Sequence, residues 1–361
     1  MALALELAAR GLGAVEPNPT VGAVIVRGGQ ELGRGWHGRF GGPHAEREAL
    51  ADAERAGRDV AGATMYVTLE PCSHHGKTPP CTDALIEAGI ARVVVAMIDP
   101  DEQVAGRGAA RLREAGIDVE VGLCEARARR LLGPYVKLRT RGRPWVICKW
   151  AQTGDGYLAL PPGAGRWVSG EASRRKVHVL RGYCDGICVG VGTVLADDPL
   201  LTRRGGAGRQ PTRIVLDSTL RTPPDCRLLA SASAEAPVIV ATTSGGPSGA
   251  PDRGAALRRA GAELLELPGC AEGVDVPALL EELGRRRWTR LLVEGGANVL
   301  GSVIGSGLAD ELWAFVAPAT VANPPAELPR FDLAELRERL PLPPPIEERF
   351  GPDVLLRFVL T

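Results

Sequence analysis

His44 and Glu46 sit together in PHAEREAL, and Cys72 and Cys81 bound the loop PCSHHGKTPPC downstream. Imidazole and thiolate are preferred zinc ligands; a zinc that does chemistry keeps three protein ligands and leaves a fourth position to water, whereas a structural zinc is closed by four. Counting ligands therefore separates the two uses. His44, Cys72 and Cys81 make three. Glu46, two residues beyond His44 at a helix start, can point at the water rather than the metal. A carboxylate there takes the water's proton and hands it on, as hydrolytic loss of an amino group requires. The bland alternative is a closed structural site, with His74 or His75 as fourth ligand.

Such a constellation needs a scaffold, and the patterning supplies one. Runs rich in Val and Ile alternate with helical patterns: VGAVIV, AEREALADAERAG, ATMYVTL, CTDALIEAG, ARVVVAM, GRGAARLREAG and IDVEV. This rhythm marks a layered α/β unit. The basic stretch EARARRLLGPYVKLRTRG closes it and RGRPWVICKW opens a new strand, so the domain boundary falls near Gly142 to Pro144, giving domains 1–143 and 144–361. The second half alternates again, through CDGICVGVGTVLADDP, TRIVLD, APVIVAT, RLLVEGGANVLGSVIGSG and DELWAFVAP. Stretches 203–210 and 243–254 read as surface loops, and 318–345 is Pro-rich and without a clear assignment.

A chain of 361 residues is long for one core and suits two domains. Lys plus Arg and Asp plus Glu both number 43, so no positive excess advertises nucleic acid, and a small-molecule substrate is the better expectation. The N-terminus MALALELAARGLGAVEPNP has no basic lead and reads as an amphipathic helix rather than a signal peptide. No apolar run approaches the roughly 20 residues of a membrane span, so a cytoplasmic protein without membrane attachment is expected. Eight dispersed cysteines favour free thiols over a disulfide framework. Cys148, Cys184 and Cys188, inside apolar runs, read as buried small hydrophobes; Cys124, Cys226 and Cys270 suggest no role.

The pattern H-x-E followed by P-C-x-x-C marks zinc nucleobase deaminases, but here eight residues separate the cysteines. The longer loop resembles the deaminase half of the bifunctional riboflavin-biosynthesis family, pyrimidine deaminase joined to reductase. EPNPTVGAVIV, PHAE, TLEPCSHHGKTPPCTDALI and DPDEQVAGRG all follow that family. The resemblance implies a cytidine-deaminase-like α/β/α domain with one zinc ion per chain and Glu46 as proton shuttle. It also implies Asn18 beside the pyrimidine, and His74, His75 and Lys77 on a phosphorylated pyrimidine substrate. Phe40, Asp101 and Glu102 depart from the usual residues without touching an expected ligand.

In the second half, ICVGVGTVL offers only a weak dinucleotide-turn pattern, whereas LLVEGGANVLGSVI places a carboxylate and two glycines between a strand and a helix whose leading N–H groups suit phosphate. KWAQTGDG, RWVSG, VHVLRG, GVGTVLADDPLLT, QPTRIVLDS, LLVEGG and GLADELW follow the family's reductase half in order. That half is similar in fold to dihydrofolate reductase. Its kinship implies an NADPH site at Gln152, Trp167, Thr193, Asp197, Ser218, Gly296, Ala297, Asn298, Val299, Leu300, Gly301 and Ser302. The sugar-phosphate side would comprise Lys149, Gly165, Arg181, Leu201, Arg204 and Glu294, two arginines suiting a phosphate bidentately.

Departures matter here: Gly165 stands where the family has Ser, Thr153 to Gly156 replace Ser-Leu-Asp-Gly, and ATVANPP replaces a Gly-Gly segment. The implied function is hydrolytic deamination of a phosphoribosylaminopyrimidine followed by NADPH reduction of its ribosyl group to ribityl, in a homo-oligomer (dimer or tetramer). Two rivals stand: a non-reducing second domain beside an active deaminase, and a nucleic-acid-editing deaminase, whose basic surface the charge balance does not supply.

Overall fold

The computed structural model describes residues 1–73, 79–102, 104–205, 208–246, 251–271 and 273–360. The chain forms two compact units, Met1–Gly142 with Arg287–Thr289, and Arg143–Arg286 with Arg290–Thr361.

In the first unit, strands β1 (Gly22–Arg27), β2 (Gln30–Trp36), β3 (Thr64–Val67), β4 (Arg92–Val95) and β5 (Asp118–Val121) form one sheet in the order β2-β1-β3-β4-β5. β1 runs antiparallel to β2 and β3, while β3, β4 and β5 are parallel. Strand side chains alternate between faces, and the core divides accordingly. Ala23, Ile25, Met65, Val67, Val93 and Val95 pack with Ala45, Ala49, Leu85, Ala109 and Leu112 of three helices. Val24 instead joins Ala4 and Leu7 of the N-terminal helix Ala2–Ala9. Leu69, Ala96 and Met97 join Leu132 and Tyr135 of the helix Glu125–Arg141. The result is helices, sheet, helices.

β2 carries no strand signal in its sequence, and its glycines explain why. QELGRGW breaks the apolar alternation, but a Cβ on Gly33 would lie 2.3 Å from the Ala49 carbonyl oxygen, and one on Gly35 2.4 Å from the Ala49 nitrogen. The glycines that obscure the strand let the helix Ala45–Arg55 lie directly on it.

The second unit adds β6 (Trp145–Gln152), β7 (Gly186–Gly190), β8 (Thr212–Leu216), β9 (Val238–Thr243), β10 (Ala262–Leu267), the short pair β11 (Gly269–Cys270) and β12 (Gly273–Val274), β13 (Arg290–Val293), β14 (Glu311–Val316), β15 (Ile346–Phe350) and β16 (Asp353–Val359). Nine of these make a sheet in the order β10-β9-β8-β7-β13-β6-β14-β16-β15, parallel from β10 to β14 and closed by an antiparallel β15/β16 hairpin. Ile147, Ile187, Val189, Val215, Val240, Leu292 and Phe315 pack on one face with Val177, Leu180, Val194 and Leu257. The alternate residues Val146, Cys148, Ile214, Ile239, Leu291, Val293 and Ala314 are buried too, so both faces are covered.

The stretch expected as a loop at 243–254 gives way to a helix at Pro251–Arg259, and the Pro-rich segment contains the helix Leu333–Arg339. Cys148, Cys184 and Cys188 are buried and free. Among the described residues, no helix is long and apolar enough to cross a membrane.

Candidate active sites

In the first unit, His44 is the N-cap of the helix Ala45–Arg55, and Cys81 is the first residue of the helix Cys81–Glu87. Arg47 ties the two starts together by donating to the carbonyls of Pro79 and Pro80, both at 3.2 Å. The Nδ1 of His44 lies 3.6 Å from the Cys72 Sγ and 3.3 Å from the Cys81 Sγ, and all three ligand atoms fall within 4.8 Å of one another. Zn–S of 2.3 Å and Zn–N of 2.05 Å at a tetrahedral angle require an N···S edge of about 3.6 Å. The donor set and its spacing therefore fit a zinc ion. No other cluster of three such groups occurs among the described residues.

Glu46 is 3% exposed, and burial first, then the Cys72 sulfur, push its carboxyl up to about 7. Between the two thiols, the hydrogen bond from Cys81 holds Cys72 well below the usual thiol range and Cys81 well above it. The backbone N–H of Cys81 also donates to Cys72 Sγ at 3.4 Å.

Asn18 joins this group through a histidine the sequence reading missed. His37, 3% exposed, donates from Nδ1 to the Pro43 carbonyl at 2.8 Å, and burial holds its pKa low. Its neutral ring then accepts at Nε2 from Asn18 Nδ2, 3.3 Å away, which fixes the Asn18 amide. The His37 ring also meets His44 edge-on, with centroids 5.5 Å apart. Its spacing of seven residues from His44 is the one signal the sequence offers, since the preceding strand β2 is itself obscured by glycines. His74, His75 and Lys77 lie outside the described residues.

In the second unit, the register sets the chemistry. Val293 of β13 pairs with Cys148 of β6 and Cys188 of β7, so Glu294 emerges one step further on, beside Lys149. Lys149 Nζ lies 3.0 Å from Glu294, and Arg181 donates to it twice, at 2.8 and 3.0 Å. Burial alone would raise the Glu294 pKa, but Arg181 and then Lys149 hold it well below the usual carboxylate range. The Arg181 fork is thus engaged by Glu294, and its remaining arm donates to the Thr202 carbonyl. Arg204 is exposed, and its N–H donates to His178 Nδ1 at 3.3 Å. Leu201 is buried with φ +53, and Arg213, fully buried, holds the adjacent Leu200 carbonyl. Gly165 has φ +120 and no side chain to offer a hydrogen bond.

β7 and β13 are parallel neighbours, so their following turns lie at the same sheet edge. Gly296 caps the helix Ala297–Gly305, and a Cβ there would approach Thr193 Oγ1 at 3.8 Å. Beside Gly192 and Gly301 a Cβ would meet nothing within 4 Å, which leaves the backbone approachable by a phosphate-bearing cofactor. Asn298 to Ser302 form the body of that helix. Trp167 is 54% exposed, with Arg166 and Arg174 over its ring at 5.0 and 5.2 Å. Asp197 ends the helix Val191–Asp197, its pKa raised by burial. Ser218 follows β8, and its carbonyl accepts from Thr242 and Thr243. Gln152, expected at the cofactor, is 3% exposed and its amide faces inward: Oε1 accepts from Trp150 Nε1 and the Leu333 N–H.

Two family models match the chain. Residues 1–97 match the cytidine and deoxycytidylate deaminase zinc-binding region, and residues 144–337 match the RibD C-terminal domain. The riboflavin biosynthesis protein RibD of Aquifex aeolicus is 40% identical, with 99% of this chain and 97% of that protein covered. The RibD protein of Escherichia coli is 38% identical over 99% of this chain and 98% of its own length. Among solved structures, a Thermotoga maritima diaminohydroxyphosphoribosylaminopyrimidine deaminase/5-amino-6-(5-phosphoribosylamino)uracil reductase superposes with a TM-score of 0.82 at 35% identity, covering 99% of this chain and 97% of that one. Acinetobacter baumannii RibD gives 0.84 at 34%, covering 100% and 97%. With a zinc-deaminase half, a reductase half and kinship over the full length, the chain belongs to the RibD family of bifunctional riboflavin biosynthesis proteins.

Proposed function

We propose that this chain first deaminates a diaminohydroxyphosphoribosylaminopyrimidine by hydrolysis and then reduces the ribosyl group of the product to ribityl with NADPH. The observation that carries the reading is the three-ligand cluster of His44, Cys72 and Cys81 with the buried carboxyl of Glu46 beside it. Residues 1–143 take the deaminase role and 144–361 the reductase role.

His44, Cys72 and Cys81 would hold zinc, which when bound supplies the Lewis acidity that lets water attack near neutral pH. Glu46 takes the proton released as water adds to the amino-bearing ring carbon and returns it to the nitrogen that leaves as ammonia. Asn18, fixed by His37, addresses the pyrimidine edge, and His74, His75 and Lys77 the phosphorylated end.

In the reductase unit, NADPH would rest against Trp167, Thr193, Asp197, Ser218 and the turn from Gly296 to Ser302, and it supplies the hydride. The chain's contribution is position: Lys149 and Glu294 face the ribose hydroxyls, Arg204 faces the phosphate, and Arg181 orients Glu294. We place the chain in the cytoplasm as a homo-oligomer, dimer or tetramer, which light scattering on the purified chain would check.

Incubating the full chain with the diaminopyrimidine phosphate, with and without NADPH, tests both steps. The expected products are the deaminated ribosylamino compound without NADPH and the ribityl compound with it. Gly165, lacking a side chain where a hydroxyl is usual, favours a second reading in which the reductase unit only binds; deaminated product left unreduced in the presence of NADPH would establish it.

A further inference from the structure

Cys72 sits in a turn gripped from two sides. On one side, the helix Cys81–Glu87 offers the Cys81 N–H to Cys72 Sγ and the Thr82 N–H to the Cys72 carbonyl, at 3.4 and 3.2 Å. On the other side stands Glu70, two residues before Cys72 and 4% exposed. Its carboxylate accepts three backbone N–H groups: Asp99 at 3.2 Å and Gly106 at 2.9 Å on one oxygen, Ala109 at 3.0 Å on the other.

Gly106 and Ala109 belong to the start of the helix Arg107–Glu114, whose N-cap, Gly106, has no side chain to satisfy those donors. Glu70 therefore caps a helix distant in sequence, and the helix in turn anchors the ligand turn. The contact is tight: a Cβ on Gly108 would lie 2.0 Å from the Pro71 carbonyl oxygen. Pro71 is the residue that links Glu70 to Cys72.

We propose that Glu70 is a positioning residue for the zinc site, fixing the Cys72 sulfur through the Pro71 turn so that the three ligands are arranged before the metal arrives. The inference rests on the zinc reading above. Groups behind a ligand commonly change metal affinity by about 10–100-fold when removed, and a pre-set thiolate is the physical reason here.

Glu70→Gln leaves one oxygen where two collect donors and turns an NH2 toward backbone N–H groups. Gly108→Ala presses on Pro71 from the opposite side while improving helix propensity by about 1 kcal/mol. Leu7→Ala, which opens a cavity among Ala4 and Val24 in the same unit and touches none of the partners of Glu70, controls for simple loss of stability. Each full-length protein would be titrated with Zn2+ against a chromophoric chelator and, separately, loaded with Co2+ for its absorption spectrum. The expected result is a Zn2+ affinity weaker by about 10–100-fold and altered Co2+ thiolate and d–d bands in Glu70→Gln and Gly108→Ala, with wild-type values in Leu7→Ala.

Wild-type affinity and spectra in both Glu70→Gln and Gly108→Ala would overturn the proposal and make Glu70 a fold element alone. Equal weakening in Leu7→Ala would overturn it too. A wild-type chain that binds neither ion would instead refute the zinc reading, and this inference with it.

Discussion

Replacing Glu294 by Gln tests the reductase unit at its most charged point. The carboxylate is 6% exposed and faces two cations, Lys149 and Arg181, at 15% and 14%. Gln keeps the volume, so no cavity forms, but it leaves two buried cations without a counter-charge. Breaking a buried ion pair in this way costs about 3–5 kcal/mol. For a domain of this size each kcal/mol moves the melting midpoint by about 2–4 °C, so the second unit should melt about 6–20 °C lower. The pH dependence has a definite sign. Glu294 titrates below its unfolded value, so its contribution is fully present above about pH 4.3 and is lost as pH falls toward the depressed folded value. The gap between wild type and Glu294→Gln should hold steady from pH 6 to 8 and narrow only in acid. Calorimetry across that range checks both points. A midpoint within about 2 °C of wild type at neutral pH would refute the assignment of Glu294 as the anion that offsets Lys149 and Arg181.

The deaminase unit gives two further tests. Glu46→Gln should lower ammonia release by about 10²–10⁴-fold through loss of the proton carrier, while atomic emission still finds one zinc per chain; full activity would remove Glu46 from the mechanism. Stripping the metal with a chelator should abolish ammonia release, yet leave NADPH oxidation on already deaminated substrate intact, as a spectrophotometric assay would record.

The candidate metal cluster was legible because zinc chemistry restricts residue type and count, and three groups of the right kind stand in one turn-rich stretch. His37 and Glu70 were not, because their roles depend on distant backbone: the Pro43 carbonyl for one, the N–H groups of Asp99, Gly106 and Ala109 for the other. Parallel strands such as β7, β8 and β13 were clear from continuous apolar runs. The β15/β16 hairpin was not, since β15 reads IEERF and buries none of its residues fully. At Gln152, expected at the cofactor, nothing in the sequence signals that the side-chain amide accepts the Leu333 N–H, a partner 181 residues along the chain.

That bond leads to two of the departures from the family pattern, Thr153 to Gly156 and ATVANPP, which lie against each other. Thr153 to Gly156 is held by the Pro-rich segment: the Gly154 N–H donates to the Ala319 carbonyl at 2.8 Å, Val321 N–H to Asp155 at 2.9 Å, and Phe331 N–H to Gly156 at 3.0 Å. A Cβ on Gly154 would make ordinary contact with Ala317, Ala319 and Thr320 at 3.6–3.8 Å. A longer side chain, such as the Leu of the Ser-Leu-Asp-Gly pattern, must extend past these groups, two of which belong to ATVANPP. Gly154→Ala should accordingly be tolerated, whereas Gly154→Leu, the family residue, should destabilise the second unit by about 1–3 kcal/mol through overpacking. Chemical denaturation of the two variants separates the cases. Equal stability of Gly154→Leu and wild type would mean that the segments are independent, and that ATVANPP needs another explanation.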